Sequence, residues 1–428
     1  VRRRPVTRPP LALPRALAAA GLATTTLLAL SAVPGGAASA DSPADLSAGT
    51  TVNSAEAAVT ATATFNDPGG DAAAQNRIRD HVVDLVNRAE SGSTISVGMY
   101  NFTDGNVSAA LAAASARGVG VRILLDHTTR VTTGGEYDTL AAALGTDRTK
   151  NSWVYACPAG RGCLGDRKLP GDPDGAINHN KFFLFSATGG AKNVVVQSSA
   201  NLTGVQRTDL FNNAVTLPDS GLYAVYQAYF ADLLAYGTSA KGLDHYYKTP
   251  TASPYKAYFF PRKEAAGTSY DSDASTDTVK LILDNVDCAG GATKVRMAAN
   301  LFTRREVASK LVALKNAGCG VYLAHDGAPG SMGAGVESIV SGKLTQRVQC
   351  YEDRGANVAK AGLHSKYLLV EGVYDGVSGR KLVWTGSHNY TYPALRANDE
   401  TLLKIDVPAL YDQFRANHDR LMTYCAGS

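Results

Sequence analysis

Apolar residues along this chain gather in short runs whose period changes from element to element. Ile78 to Val86 places its apolar residues at helical spacing, and Thr94 to Tyr100 (TISVGMY) reads as a strand. Asn106 to Arg117 predicts a helix that Gly118 stops. Val119 to Asp126 (VGVRILLD) predicts a buried strand. The same order then returns. Thr278 to Val286 is helical, Lys294 to Leu301 (KVRMAANL) a strand, Arg304 to Asn316 a helix and Gly320 to His325 a strand. The phrases ARGVGVRILLDH (116 to 127) and NAGCGVYLAHDG (316 to 327) occupy equivalent places. Strand–helix–strand alternation predicts parallel sheets flanked by helices. The repeat is far longer than a solenoid unit, so it predicts one duplicated domain. The expected fold is α/β: two similar α/β/α lobes, each a mostly parallel sheet flanked by helices. The first lobe is placed at 65–250 and the second at 276–428, with a linker at 251–275 inside a Gly/Thr/Pro/Ser-rich stretch.

The N-terminal pattern differs. Arg2, Arg3, Arg4, Arg8 and Arg15 precede an apolar stretch from Ala16 to Val33, and Ala38-Ser39-Ala40 is a small-x-small triplet. Residues 1–40 therefore predict an export signal. A membrane anchor is the competing reading, but the stretch is rich in Ala and Thr and falls short of the ~20 strongly apolar residues that a span needs. Residues 41–64, rich in Ala, Ser and Thr, predict a flexible leader. The expectation is a soluble secreted protein that begins near Asp41.

Charge sharpens this picture. The whole chain carries +4, but residues 1–40 hold five arginines and no acid, which leaves −1 for the rest. A general nucleic-acid binder shows a strong basic excess, so nucleic acid is a disfavoured partner here. Six cysteines in an exported chain predict disulfides. Cys157 and Cys163 bracket a short loop (CPAGRGC) and are the natural pair. Cys288 and Cys319 each sit just before a predicted strand, which favours Cys288–Cys319 and leaves Cys350–Cys425. A zinc site is the alternative, but no CxxC pair supports it.

The strongest chemical signal is a phrase that occurs twice. HNKFFLFSATGGAKNVVVQSSAN spans 179 to 201, and HSKYLLVEGVYDGVSGRKLVWTGSHN spans 364 to 389. Each opens with His-x-Lys, continues as an apolar strand and closes on Ser-x-Asn. Side chains two apart on a strand share a face, so His179 joins Lys181 and His364 joins Lys366. Each member of such a pair disfavours the other's charge unless an anion lies between them. A phosphate resolves that conflict. Ser199, Asn201, Ser387 and Asn389 then read as neutral donors to phosphate oxygens. Two lysines and these donors would balance charge on a five-coordinate phosphorus. One histidine can attack phosphorus, and the other can protonate the leaving group and activate the incoming water or alcohol.

These residues resemble the phospholipase D superfamily, whose pattern is HxKx4D followed by a GSxN-type turn. The resemblance covers most of the chain beyond residue 40. It implies a bilobal α/β fold with one active site at the pseudo-twofold interface, a phosphohistidine intermediate, and no metal or other cofactor. By that analogy His179 is the nucleophile and His364 the general acid/base. The family Asp falls at Ser186 in the first motif and at Glu371 in the second. The first glycine of the turn is Ser198 in one half and Gly386 in the other. Many members carry an acidic residue after each motif that orients a histidine. Glu400, beside Asp399, fills that place in the second half. In the first half Ala214 stands at the matching place and Asn213 before it, so Asn213 is the expected orienting group.

Other polar and aromatic residues read more plainly. Asp126 and Asp326 end buried strands and are expected to cap loops. Trp153, Tyr155, Trp384, Tyr390 and Tyr392 could line a headgroup pocket, although Trp384 sits inside a strand and reads as core. His81, His127, His245 and His418 belong to no constellation. The long Gly-rich stretch 127–176 is a candidate lid. The reading that follows is a secreted phospholipase D that releases headgroup and phosphatidic acid, with transphosphatidylation when an alcohol intercepts the phosphoenzyme. Its expected partner is a phospholipid surface, with no obligate protein partner and a monomeric state. A secreted nuclease or other phosphodiesterase is the alternative with the same site. A phosphoester-binding protein of weak catalysis is the alternative of another class.

Overall fold

The computed structural model describes residues 58–172, 175–352 and 361–427. The export signal, and the leader as far as residue 57, lie outside the described residues. The strands form two sheets whose central orders match. In the first sheet Asn213–Pro218, Ala191–Ser198, Lys181–Thr188, Thr94–Met99, Gly120–Leu125 and Trp153–Ala156 lie side by side. In the second the order is Thr401–Ile405, Val377–Gly386, Tyr367–Tyr374, Lys294–Ala299, Gly320–Asp326 and Gln346–Glu352. The equivalent helices Gly105–Ala116 and Arg305–Asn316 each cross from one strand to its parallel neighbour. Both end at a glycine in the left-handed region, Gly118 (φ 91°) and Gly318 (φ 104°), where a side chain would add strain.

Pairing corrects one expectation, because the sheets are mixed rather than mostly parallel. Within the two matching sets of strands, parallel pairs are confined to those joined by helical crossovers, and one further parallel pair, Leu210–Phe211 with Ala361–Leu363, links the two halves. The two motif strands instead fold back on themselves. Thr188 pairs with Ala191 across Gly189-Gly190, and Tyr374 pairs with Val377 across Asp375-Gly376. All four turn residues have positive φ. Such two-residue turns match the twist of a hairpin and force antiparallel strands.

Three further stretches depart from expectation. Thr62–Phe65, which begins inside the predicted leader, is a strand paired with Asn213–Pro218. Tyr255–Phe259, inside the predicted linker, takes the equivalent place beside Thr401–Ile405. The candidate lid includes the helices Thr128–Val131 and Tyr137–Leu144 and the edge strand Trp153–Ala156.

Alternation along the motif strands divides the core. Phe183 and Phe185 face a cluster with Val82, Leu85 and Leu111, from the helices Ala72–Asn87 and Gly105–Ala116. Phe182 and Leu184 face the opposite way, into a core shared with the second sheet. Leu368 and Val370 likewise face Ile282 and Leu311, whereas Tyr367 and Leu369 enter the shared core. The helices Ser220–Gly237 and Pro408–Cys425 complete that core with Tyr226, Tyr229, Tyr411 and Phe414. Each buried ring contributes about 2–3 kcal/mol. The shared core is what brings the starts of Lys181–Thr188 and Tyr367–Tyr374 to one place. Disulfides join Cys157 to Cys163, Cys288 to Cys319 and Cys350 to Cys425. Cys288–Cys319 ties the entries to two strands that are indeed parallel neighbours.

Candidate active site

Each motif histidine is positioned by the other half of the chain. The His179 N–H donates to the Asp399 carbonyl (3.0 Å), and the His364 N–H donates to the Phe211 carbonyl (2.9 Å). Asp399 precedes Glu400, and Phe211 precedes Asn212. The next residue in each case then meets the imidazole. His179 Nδ1 lies 2.8 Å from Glu400 Oε1, and His364 Nδ1 lies 3.0 Å from Asn212 Oδ1. With Nδ1 engaged, Nε2 is the ring atom left for chemistry on both histidines.

Two buried carboxylates fix the approach to each motif. Asp126 accepts from the Asn178 N–H (2.7 Å) and from Thr128, and Asp326 accepts from the Leu363 N–H (2.8 Å) and from Ala328. They hold the residue just ahead of each histidine, in keeping with the capping role. Burial pushes both carboxyls upward, against those hydrogen bonds.

The lysines follow the same symmetry. Lys181 Nζ donates to the His179 carbonyl (2.7 Å) and Lys366 Nζ to the His364 carbonyl (2.6 Å). Lys181 also lies over the Tyr100 ring (5.3 Å), whereas Lys366 reaches Asn300 Oδ1 (3.4 Å). Burial pulls Lys181 down to about 7, against the pull of Glu400 and Asp126. Lys366 falls well below its ordinary value through burial and then through Lys181. His179 and His364 are lowered well below theirs, by burial and then by the lysines of both halves. Burial raises Glu400 to about 8, opposed by Lys181. Charges from both motifs therefore act on one another, and the four groups form one buried site. The charge of a bound anion would offset the penalty on every lysine and histidine.

Two expectations from the sequence change. Ser199 and Ser387 are fully buried and do not serve as phosphate donors. The Ser387 hydroxyl donates to Glu400 Oε2 (2.5 Å) and accepts from the Thr401 N–H (3.0 Å). The Ser199 hydroxyl donates to Asn212 Oδ1 (2.9 Å) and accepts from the Asn213 N–H (3.0 Å). A hydroxyl has one proton to give, and here it goes to the orienting side chain. Asn213 is likewise not the partner of His364; its amide donates to Thr385 Oγ1 (2.8 Å). Asn212 takes the role. The signal was a constant count, since Asn201 to Asn212 and Asn389 to Glu400 are both eleven residues.

Asn201 and Asn389 remain as donors. Asn389 Oδ1 accepts from the Leu301 N–H (3.5 Å), which leaves its amide N–H groups for a ligand. The aromatic candidates go elsewhere. Trp153 stacks on Phe230, Tyr155 donates to the Gly237 carbonyl, Trp384 packs on Tyr374, Tyr390 on Phe302, and Tyr392 donates to Glu306. Of the lone histidines, His81 bonds Thr216 and His418 faces the Met297 carbonyl in the core. Neither His127 nor His245 is joined to the site. Ser186 accepts from the Thr94 N–H (2.8 Å), and Glu371 binds Arg296 and Tyr411. Asp399 accepts from the Leu164 and Gly165 N–H groups, so the disulfide loop docks directly behind His179.

The chain matches the family described as cardiolipin synthase, PLD-like domain, over residues 82–234 and again over 283–422. Comparison with curated proteins gives no sequence match. Among solved structures, it resembles phosphatidylserine synthase from Haemophilus influenzae Rd KW20 (TM-score 0.50, 13% identity, 85% of this chain and 88% of that one). It also resembles polyphosphate kinase from Porphyromonas gingivalis (TM-score 0.50, 13% identity, 85% of this chain), of which it spans half the length. A phospholipase D family member, Nuc from Salmonella typhimurium, aligns at TM-score 0.30 and 20% identity over 43% of this chain and 99% of that one.

Proposed function

From the premise that this chain belongs to the phospholipase D-like family of phosphodiester-active enzymes, we propose that it cleaves glycerophospholipids at the distal phosphodiester through a phosphohistidine. The observation that carries this reading is the crossing of the two halves at His179, where the first motif's imidazole rests on the second half's Glu400. His179 Nε2 attacks phosphorus, the bond from phosphorus to the headgroup oxygen breaks and that oxygen takes a proton from His364, while Glu400 holds the Nδ1 proton and offsets the positive charge that develops on the His179 ring. Lys181, Lys366, Asn201 and Asn389 bind the non-bridging oxygens, whose charge grows in the transition state. His364 then takes a proton from water or an alcohol as it displaces His179. Water gives phosphatidic acid, and an alcohol gives a transferred phosphatidyl group.

Export fits this reading. Three disulfides suit an oxidising compartment. Among the described residues no helix is long and apolar enough to cross a membrane. The test is incubation of the full chain with phosphatidylcholine vesicles in chelator, with choline and phosphatidic acid both followed. Matched release of the two supports the proposal. Cleavage of single-stranded DNA without attack on any phospholipid would replace it with the nuclease reading.

A further inference from the structure

The two orienting residues are equivalent in place and unequal in chemistry. Glu400 and Asn212 each follow their turn asparagine by eleven residues. Each accepts from the turn serine, and each meets Nδ1 of the opposite motif histidine. One can carry a negative charge and the other cannot.

The orientation of Asn212 is set by its surroundings. Its Nδ2 donates to the Gln206 and Leu210 carbonyls (3.0 and 3.2 Å), and its backbone N–H donates to Asn66 Oδ1 (2.7 Å). A flipped amide would turn its oxygen against two carbonyls. Oδ1 therefore faces His364, whose Nδ1 carries the proton of that bond. In this tautomer Nε2 is a lone pair, ready to accept a proton. To act as an acid, His364 must hold a second proton and become an imidazolium. The charged groups that act on it are Lys366 and Lys181, both cationic when protonated. His179 faces the same lysines but has Glu400 behind it.

We infer that Asn212 is a positioning residue that holds His364 neutral, present as a base and scarce as an acid, so that the site selects phosphodiesters whose leaving group departs as a stable anion. This rests on the phosphodiesterase reading above and narrows its substrate class. In the first step the Nε2 lone pair of His179 bonds to phosphorus. The bond from phosphorus to the leaving oxygen breaks, and its electron pair leaves with that oxygen. An aryl oxide or a phosphate monoester needs no proton at this point. An alkoxide does, and the proton must come from scarce imidazolium. In the second step the oxygen of water or an alcohol bonds to phosphorus, its proton passes to His364 Nε2, and the electrons of the P–N bond return to His179. That step uses His364 in the form that Asn212 favours.

The test compares phosphatidylcholine with phosphatidyl-p-nitrophenol, which share the phosphatidyl group and differ in leaving group. Wild-type enzyme should release nitrophenol about 100-fold faster or more at neutral pH, in line with the worth of general acid catalysis. Choline release should peak at a lower pH than nitrophenol release. Asn212→Ala releases the ring from that tautomer and should narrow the gap between the two esters and between their two optima. Equal turnover of both esters by the wild type, at one shared optimum, would overturn the inference without any variant. So would an Asn212→Ala enzyme whose rates on both esters change by the same factor with the optima unmoved. Failure to cleave either ester would instead overturn the proposed function, and this inference with it.

Discussion

The two halves build the same frame and fill it differently. Strand order, hairpin turns, buried aspartates, lysine contacts and turn serines all correspond. The differences gather around the motif histidines and lysines. Glu400 stands opposite Asn212, Asp399 opposite Phe211, and Tyr100 opposite Asn300. The backbone that positions two imidazoles is thus kept on both sides, while the charge that tunes them is kept on one. A symmetric site would make the histidines interchangeable. This site makes them specialists, and each prediction below tests how far that goes.

Exchange of the histidines should show the largest effect. His179→Ala removes the atom that bonds phosphorus, and turnover should fall by about 10⁴-fold or more on every ester. His364→Ala should cost about 10²- to 10³-fold in steady state, because the second step loses its base. With an aryl ester, His364→Ala should still give a stoichiometric nitrophenol burst in rapid-mixing experiments. A burst from His179→Ala, and none from His364→Ala, would reverse the assignment.

The orienting pair comes next. Glu400→Gln should lower kcat/KM about 100-fold and Asn212→Ala only about tenfold or less. The pH profile sharpens this. The active form needs Glu400 ionised, and burial holds its carboxyl at about 8, so the rate rises as pH climbs toward that value. It also needs Lys181 protonated, and burial holds that ammonium at about 7, so the rate falls once pH passes it. For the aryl ester kcat/KM should trace a bell whose maximum lies between about 7 and 8. Glu400→Gln should erase the rising limb and move the falling one to lower pH, because Glu400 is what pulls Lys181 upward. A profile unchanged by Glu400→Gln would mean that the carboxyl only fills space.

Covalent ties separate the halves less sharply. Cys350–Cys425 spans 75 residues, Cys288–Cys319 spans 31, and Cys157–Cys163 spans only 6. The chain-entropy model gives about 4 kcal/mol for the longest and about 2 for the shortest. Paired Cys→Ser variants, melted in urea, should lose stability in that order. The short loop has another role, since it docks on Asp399 behind His179. Its loss should reduce activity more than stability.

Much of this was legible before any coordinates. The duplicated His-x-Lys motifs stood out because chemistry demands rare residues at fixed spacing. The helix–strand order stood out because burial imposes periodicity. Less legible was the crossing between halves. Glu400 lies 221 residues from His179, and no local rule ties them. The serines were read as phosphate donors because hydroxyls suit phosphates, yet burial had already assigned their single proton. The antiparallel hairpins were announced by Gly189-Gly190 and Asp375-Gly376, turn pairs outweighed by the surrounding strand–helix alternation. Tyr255–Phe259 was read as linker because its flanks are turn-rich, although its own apolar run pairs with Thr401–Ile405.

The smallest expected effects lie at a motif position where the halves differ without touching a histidine. Ser186 caps the Thr94 N–H at the entry to a strand, and Glu371 binds Arg296 and Tyr411 at the equivalent position of the other sheet. Both act on the far face from the chemistry, through neighbouring strands. Ser186→Ala leaves a half-buried N–H without its acceptor and should cost about 1 kcal/mol. Glu371→Gln gives up a partly exposed ion pair and should cost about 1 kcal/mol or less. Turnover should stay within about twofold in both, because neither change moves Asp126, Asp326 or the residues they hold. Urea midpoints and nitrophenol release measured on the same preparations separate the two effects. A rate loss well beyond the stability loss at either position would mean that strand register, and not only the orienting pair, sets where the imidazoles stand.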